Sequence, residues 1–376
     1  MKRRLRRAEH GRRGHRFAAG TLLAALLAAA PGLGADDGRA KRFNVGFRIL
    51  KVARGRRRPM AVALWYPTEA APAATQYVQV GGALPTELAR DAAPAKGRLP
   101  LVIFSHGGGG CATNGAVFAE ELAARGFVVA GPDHDDEFTA CRSDGSLAPD
   151  LKRAGQWLRW ARSVSAGRKR VRFQHRPREI RQTLDAVLSA SAGTGELAGL
   201  VDPRRIGMTG VSFGAWTTLA VGGSIPLYRD GRVKAIAPIA GPAGPAASPQ
   251  RTANVRVPIL LIFGEAETAA LGDPASGRKT ATLLRQYEAA RAPKVLIGIT
   301  GARHLDFGGA GTSNRTALPG RRVTTAKVRA TDPVISTTNA YLLAFFRRYL
   351  NGDATAGKRL ERKAKQVFLF RRDLAK

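Results

Sequence analysis

Ser212 is the side chain best placed by its neighbours to do covalent chemistry. It stands in Gly210-Val211-Ser212-Phe213-Gly214, a G-x-S-x-G sequence between the strand-like run Ile206–Thr209 and the helix-like run Phe213–Val221. A serine on a tight strand-to-helix turn is forced into a strained backbone and stands exposed above the sheet. The flanking glycines let neighbouring chains come close. The helix N-terminus adds positive potential where negative charge will develop. The alternative is a structural turn in a glycine-rich chain.

A serine hydroxyl is a poor nucleophile until a base takes its proton. The histidines are His10, His15, His106, His134, His175 and His304. A nucleophile on such a turn goes with the chain order serine, acid, histidine, and of the histidines His304 alone follows Ser212. It lies in Gly301-Ala302-Arg303-His304, just after the strand-like run Val295–Ile299; a surface-loop histidine is the alternative. The acid must fall between the two at a strand end. Asp230 precedes a strand and Glu288 is inside a helical pattern, so both are badly placed. Glu265 and Glu267 follow the strand-like run Ile259–Phe263. An acid three residues past the strand-ending Gly264 favours Glu267, with Glu265 and then Asp273 as alternatives. Its carboxylate would hold the imidazole tautomer and stabilise the imidazolium.

Acyl transfer also needs backbone N–H groups aimed at the developing oxyanion. Ser105-His106-Gly107-Gly108-Gly109-Gly110 follows the apolar run Leu101–Phe104 and has the form of an H-G-G-G loop. One N–H is assigned to Gly108 and the other to Phe213. His106 is then a structural hydrogen-bonder rather than a base. This chemistry requires no cofactor and no metal.

The elements that must position these groups alternate between strand-like and helix-like stretches, which gives an α/β class. Phe47–Ala53 and Met60–Trp65 read as a hairpin, residues 66–98 as a long loop. Asn114–Arg125, Pro177–Ala190, Thr280–Arg291 and Ile335–Leu350 read as helices. Phe127–Ala130 and Ala235–Ile239 read as strands. Residues 134–175 break the alternation and read as an insertion near the site, with Trp157 and Trp160 on one face if helical. Helix packing is the favoured role for that pair, a lipid-facing surface the alternative. The run Asp133-His134-Asp135-Asp136-Glu137 reads as solvated loop or cap residues, with a metal site as the alternative. Residues 358–376 form a basic tail in which Val367–Phe370 could add a strand.

The 376 residues are 44% hydrophobic, enough for a large core and against wholesale disorder. Residues 2–16 hold eight Lys or Arg and one Glu, and Phe17–Ala30 is apolar or small except for Thr21. With the small residues that follow, residues 1–35 have the form of a secretory signal peptide; an uncleaved anchor is the alternative. The expected location is therefore secreted or periplasmic, with residues 36–376 as one catalytic domain. The formal net charge is +33, and setting residues 1–35 aside leaves it near +26. A solvated basic surface is the favoured reading of this charge, with weak association with anionic surfaces the alternative. The basic residues are scattered and no zinc-finger or RNP-like motif is present, so nucleic acid is not an expected partner. Cys111 follows the oxyanion glycines and Cys141 lies in the loop after the next strand. In an oxidising compartment, with no other cysteine to compete, a Cys111–Cys141 disulfide is expected; two buried thiols are the alternative.

The segments "VGFRIL…AVALWYPTEA", "LPLVIFSHGGGG", "GFVVAGPDHD", "DPRRIGMTGVSFGAWT", "VPILLIFGEAET" and "GARHLDF" resemble the α/β-hydrolases of the dienelactone-hydrolase and platelet-activating-factor-acetylhydrolase-like group. They run in order from about residue 44 to 350. The resemblance implies an α/β-hydrolase fold: a central, mostly parallel sheet, helices on both faces and no large cap domain. It implies serine esterase activity through Ser212, an acid and His304. Three departures stand out. The dienelactone branch uses a cysteine nucleophile, and Ser212 argues for ester hydrolysis of the acetylhydrolase type. The family acid is usually aspartate, where this chain offers Glu267. The serine motif has Val211 where histidine is common.

The expectation is thus a secreted serine hydrolase, acetylhydrolase- or lipase-like, cleaving small-molecule or lipid esters through an acyl-enzyme. An acyltransferase or thioesterase would use the same groups. A non-catalytic binding protein would predict a missing triad member.

Overall fold

The structure is a computed structural model that describes residues 41–80, 82–153, 155–157, 159, 174–241, 248–267, 276–291, 293–308 and 323–374. The expected leader, residues 1–35, lies outside them, as do Trp160 and Asp273.

The strands are β1 (Asn44–Arg54), β2 (Arg57–Thr68), β3 (Ala73–Gln79), β4 (Gly82–Arg90), β5 (Leu99–Ser105), β6 (Val128–Pro132), β7 (Val201–Val211), β8 (Val233–Ile239), β9 (Ile259–Gly264), β10 (Lys294–Ile299) and β11 (Val367–Asp373). Among the described residues they form one sheet in the order β11-β10-β9-β8-β7-β5-β6-β2-β1-β4-β3. Its centre, from β6 across to β10, is parallel. The β1–β2 hairpin and β11 add antiparallel pairs at the flanks. The β5–β7 neighbourhood is where the chain reverses its direction of travel across the sheet. Ligands of open α/β sheets bind at such a point, beyond the carboxyl ends of the strands. Ser105 and Ser212 both stand at that edge.

The helices include α1 (Ala116–Ala124), α2 (His175–Ala192), α3 (Phe213–Leu219), α4 (Ser276–Ala289), α5 (Pro333–Asn351) and α6 (Ala354–Leu360). They cover both faces, because a parallel sheet must be buried on both. Strand β2 shows the division. Met60, Val62, Leu64 and Tyr66 enter the core under α2 and α4, while Ala63 and Trp65 enter the core under α1 and α5. This is the two-residue period of a strand. The apolar stripe Ile180, Leu184 and Val187 fixes the inner face of α2. Helix α5 begins where the Asp332 side chain accepts from the Val334 and Ile335 N–H groups, and ends at Gly352 with φ 69°.

The long loop expected over residues 66–98 is instead largely the β3–β4 hairpin, paired from Ala73 opposite Leu88 to Gln79 opposite Gly82. Its composition hides it, with Pro85 and small residues in place of an apolar run. A few side chains hold it down: Tyr77, Leu84 and Leu88 are buried, and the Trp65 indole N–H donates to the Tyr77 hydroxyl at 2.8 Å. Of the basic tail, Lys358–Leu360 end α6 and Val367–Asp373 form β11 against β10. No helix among the described residues is long and apolar enough to cross a membrane.

Candidate active site

Strand β7 delivers Ser212 to the sheet edge, and α3 starts at once after it. Ser212 has φ 58° and ψ −115°, a conformation costing a non-glycine residue on the order of 1–3 kcal/mol. The surroundings hold it there. Its N–H donates to the Ile239 carbonyl at 2.9 Å. A Cβ on Gly214 would lie 1.9 Å from the Ser105 carbonyl oxygen, and one on Gly210 2.6 Å from the Gly214 oxygen. The motif glycines are thus dictated by backbone packed on backbone.

The loop after β10 brings His304 to the serine, Nε2 to Oγ at 2.8 Å. The loop after β9 supplies Glu267. Glu267 is 0% exposed; one carboxylate oxygen accepts from the Gly264 N–H at 3.1 Å and the other lies 3.9 Å from His304 Nδ1. Glu265 points elsewhere. It is exposed and accepts from the Gly301 N–H at 2.8 Å, tying the acid loop to the histidine loop. The two loops also meet through Ala266 N–H to the Ala302 carbonyl at 2.8 Å. A Cβ on Gly264 would lie 2.3 Å from that carbonyl oxygen. Ser212, His304 and Glu267 therefore converge from three loops, and Glu265 serves as a strut.

The glycine loop after β5 runs beside Ser212: a Cβ on Gly107 would be 3.6 Å from Ser212 Cβ. Trp157 packs on the loop so closely that a Cβ on Gly108 would overlap its ring, 1.7 Å from Cζ2. Phe213, the first residue of α3, lies at the helix end where backbone N–H groups point outward.

Beneath the loop lies a set of buried polar groups. His106 is 0% exposed; its Nε2 accepts from the His134 N–H at 3.0 Å, so its Nδ1 carries the proton and donates to the Gly107 carbonyl at 2.6 Å. Ser105 Oγ is 2.9 Å from His134 Nε2, and His134 Nδ1 is 2.7 Å from Glu179. Glu179 also accepts from Arg54 at 2.9 Å. Burial, reinforced by the nearby Arg176 charge, holds both imidazoles well below the usual histidine range, so they are neutral. Burial pushes the Glu179 carboxyl up to about 7. Arg176 bonds Asp136 through Nε at 2.9 Å and Nη2 at 2.5 Å. Burial alone would raise the Asp136 carboxyl, but Arg176 and His175 hold it well below the usual carboxylate range.

The acidic run after β6 is therefore not the solvated loop expected of it. Asp135 and Glu137 are exposed, but Asp133 and His134 are 0% exposed and the Asp136 side chain 5%. Asp133 accepts from the Ala112 N–H, the Ser143 N–H and the Ser143 hydroxyl, at 2.8, 2.7 and 2.7 Å. The buried charges are occupied by protein partners that pin the glycine loop to the start of the 134–175 insertion. Sequence reasoning missed Arg176, Asp136 and Glu179. One readable signal existed: Arg176 stands one helical turn before Ile180, on the stripe that α2 buries.

Cys111 and Cys141 are joined by a disulfide with Cα atoms 5.6 Å apart and a sequence separation of 30. It ties the end of the glycine loop to the same insertion. Closing a loop of that length is worth about 3–4 kcal/mol in the chain-entropy model. Cys141→Ser should therefore lower the unfolding free energy by about 3 kcal/mol. Denaturant titration under non-reducing conditions checks this; an unchanged midpoint would reject it.

Strand order, helices on both faces, the serine on its strand-to-helix turn and the histidine loop after the last parallel strand define an α/β-hydrolase. The family model for platelet-activating factor acetylhydrolase, isoform II, matches residues 68–262. That is more than half of the chain, and the chain belongs to this family. Its match includes Ser212 and the glycine loop and stops before Glu267 and His304. The platelet-activating factor acetylhydrolase of Gallus gallus is 27% identical over 147 residues, 32% of this chain and 35% of that protein. The enzyme of the same name from Cavia porcellus is 29% identical over 137 residues, 32% of this chain and 31% of that protein. The alignments thus span about a third of each relative's length.

Proposed function

We propose that this chain is an exported serine hydrolase that cleaves carboxylic esters of lipid-like substrates through an acyl-enzyme. The observation that carries the reading is the 2.8 Å contact between His304 Nε2 and Ser212 Oγ, made by a serine held at φ 58°. His304 takes the hydroxyl proton as Oγ attacks the ester carbonyl. The oxyanion is received by the Gly108 and Phe213 N–H groups. His304 then hands the proton to the leaving alcohol, leaving the acyl group on Ser212. A water molecule, deprotonated by the same imidazole, releases the acid. Glu267 orients His304 and offsets its charge. Its 3.9 Å separation is an ion-pair distance, of the kind that tightens when substrate closes the site.

The family and both relatives support acetylhydrolase-type chemistry, hence a short acyl group on a lipid ester. The net charge, near +26 with residues 1–35 set aside, would favour encounter with anionic interfaces. Pairing of the only two cysteines supports export, since such bonds persist in oxidising compartments. The test is a panel of p-nitrophenyl esters of rising acyl length. Acetate and butyrate should turn over faster than decanoate, and no hydrolysis at any length would reject the reading.

A further inference from the structure

We infer that Arg176 is the positioning residue of the oxyanion hole, fixing the direction of the Gly108 N–H and the seat of Phe213 together. The inference rests on the serine-hydrolase reading of the site.

The residues that would receive the oxyanion lie on two separate segments, and one of them is a run of four glycines. Glycine backbones move freely. A rotation of the Gly107–Gly108 peptide would turn its N–H away from the substrate at little steric cost. Something outside the loop must therefore choose one orientation. A peptide group is planar and trans, so its N–H points opposite to its carbonyl. Whatever holds the Gly107 carbonyl thus aims the Gly108 N–H.

Three donors converge on that carbonyl: His106 Nδ1 at 2.6 Å, Arg176 Nη2 at 3.3 Å and the Gly110 N–H at 3.3 Å. The preceding carbonyl, of His106, accepts from Arg176 Nη1 at 2.7 Å. Two of the three donors belong to the loop itself, His106 being anchored in turn where its Nε2 accepts from the His134 N–H at 3.0 Å. Arg176 does not: it comes from α2, a helix packed in the core, and its side chain is 0% exposed. The same guanidinium lies over the Phe213 ring, 4.2 Å from its centroid. One rigid, planar group thus touches both arms of the hole.

Asp136 sets the guanidinium in turn. It takes a two-pronged bond from Arg176 and accepts from the Gly109 N–H at 3.2 Å. This use needs a planar fork. A lysine ammonium could keep the charge beside Asp136, but could not bond two carbonyls, grip a carboxylate and stack on a ring at once.

The test is Arg176→Lys, measured in two ways. For p-nitrophenyl acetate, kcat should fall about 10²-fold, the effect of losing one oxyanion donor. KM should stay within about 3-fold, because the contact matters in the transition state. The second readout is inactivation by a fluorophosphonate. Ser212 Oγ gives its proton to His304 and forms a bond to phosphorus, the P–F bond breaks with loss of fluoride, and the phosphoryl oxygen occupies the hole; this rate should fall by a similar factor. The pair Arg176→Met with Asp136→Asn removes both buried charges at similar volume and should slow labelling equally, which covers a lysine variant that does not fold. A folded variant labelled at the wild-type rate overturns the inference. So does a change confined to KM. Wild-type protein that neither hydrolyses esters nor takes the label would instead overturn the serine-hydrolase reading, and this inference with it.

Discussion

Ser212→Ala should lower ester turnover by about 10⁶-fold, the scale seen when a hydrolase of this kind loses its nucleophile. The neighbouring hydroxyl on the same sheet edge, Ser105, is 0% exposed and is engaged by His134. The variant should still fold. The hydrogen bond from the backbone of residue 212 to Ile239 does not involve the side chain, and alanine fits wherever serine does. A thermal melt and a fluorophosphonate labelling assay, run beside the turnover measurement, separate loss of chemistry from loss of structure. Near-full activity in the folded variant would remove Ser212 from its role.

Glu267→Gln should cost about 10⁴-fold, the magnitude observed when a triad carboxylate becomes an amide that stabilises the wrong imidazole tautomer. The substitution is isosteric, and the amide oxygen can still accept from Gly264. What it removes is the negative charge 3.9 Å from His304 Nδ1, a nitrogen with no hydrogen-bond partner among the described residues. Glu265→Gln should stay within about 10-fold, since an exposed carboxylate bonded to one N–H contributes little that an amide oxygen cannot. Steady-state rates of the two variants decide it. The reverse ranking would move the acid to Glu265.

The residues that meet at the candidate site were the most legible part of the chain, and for a physical reason. A nucleophile turn needs glycines at fixed offsets because backbone meets backbone there, and that requirement is written locally. The buried parallel strands were legible in the same way, as apolar runs between glycines and prolines. Spacing from Gly264 ranked Glu267 above Glu265, and of the two it is Glu267 that lies 3.9 Å from His304 Nδ1. What stayed hidden depends on partners far away in sequence. The β3–β4 hairpin is secured by Trp65 and by the core, not by a pattern of its own. Arg176 bonds a carbonyl 70 positions earlier, and no local rule distinguishes a charge with buried partners from one in water. The acidic run after β6 was misjudged for the same reason.

Strand β11 carries a consequence for how the protein is made. Strand β10 holds Val295, Leu296, Ile297 and Ile299, all buried, and β11 is its outer neighbour in the sheet. The ribosome delivers β10 well before β11, with α5 and α6 between them. In that interval the outer row of β10 amides and carbonyls is an open template for another copy's strand. Once β11 docks, the exposed rim carries Arg371 and Arg372 instead, and adjacent positive charges repel a second copy of the same edge. The last strand is thereby a gatekeeper against aggregation, and newly made chains are most vulnerable just before it arrives.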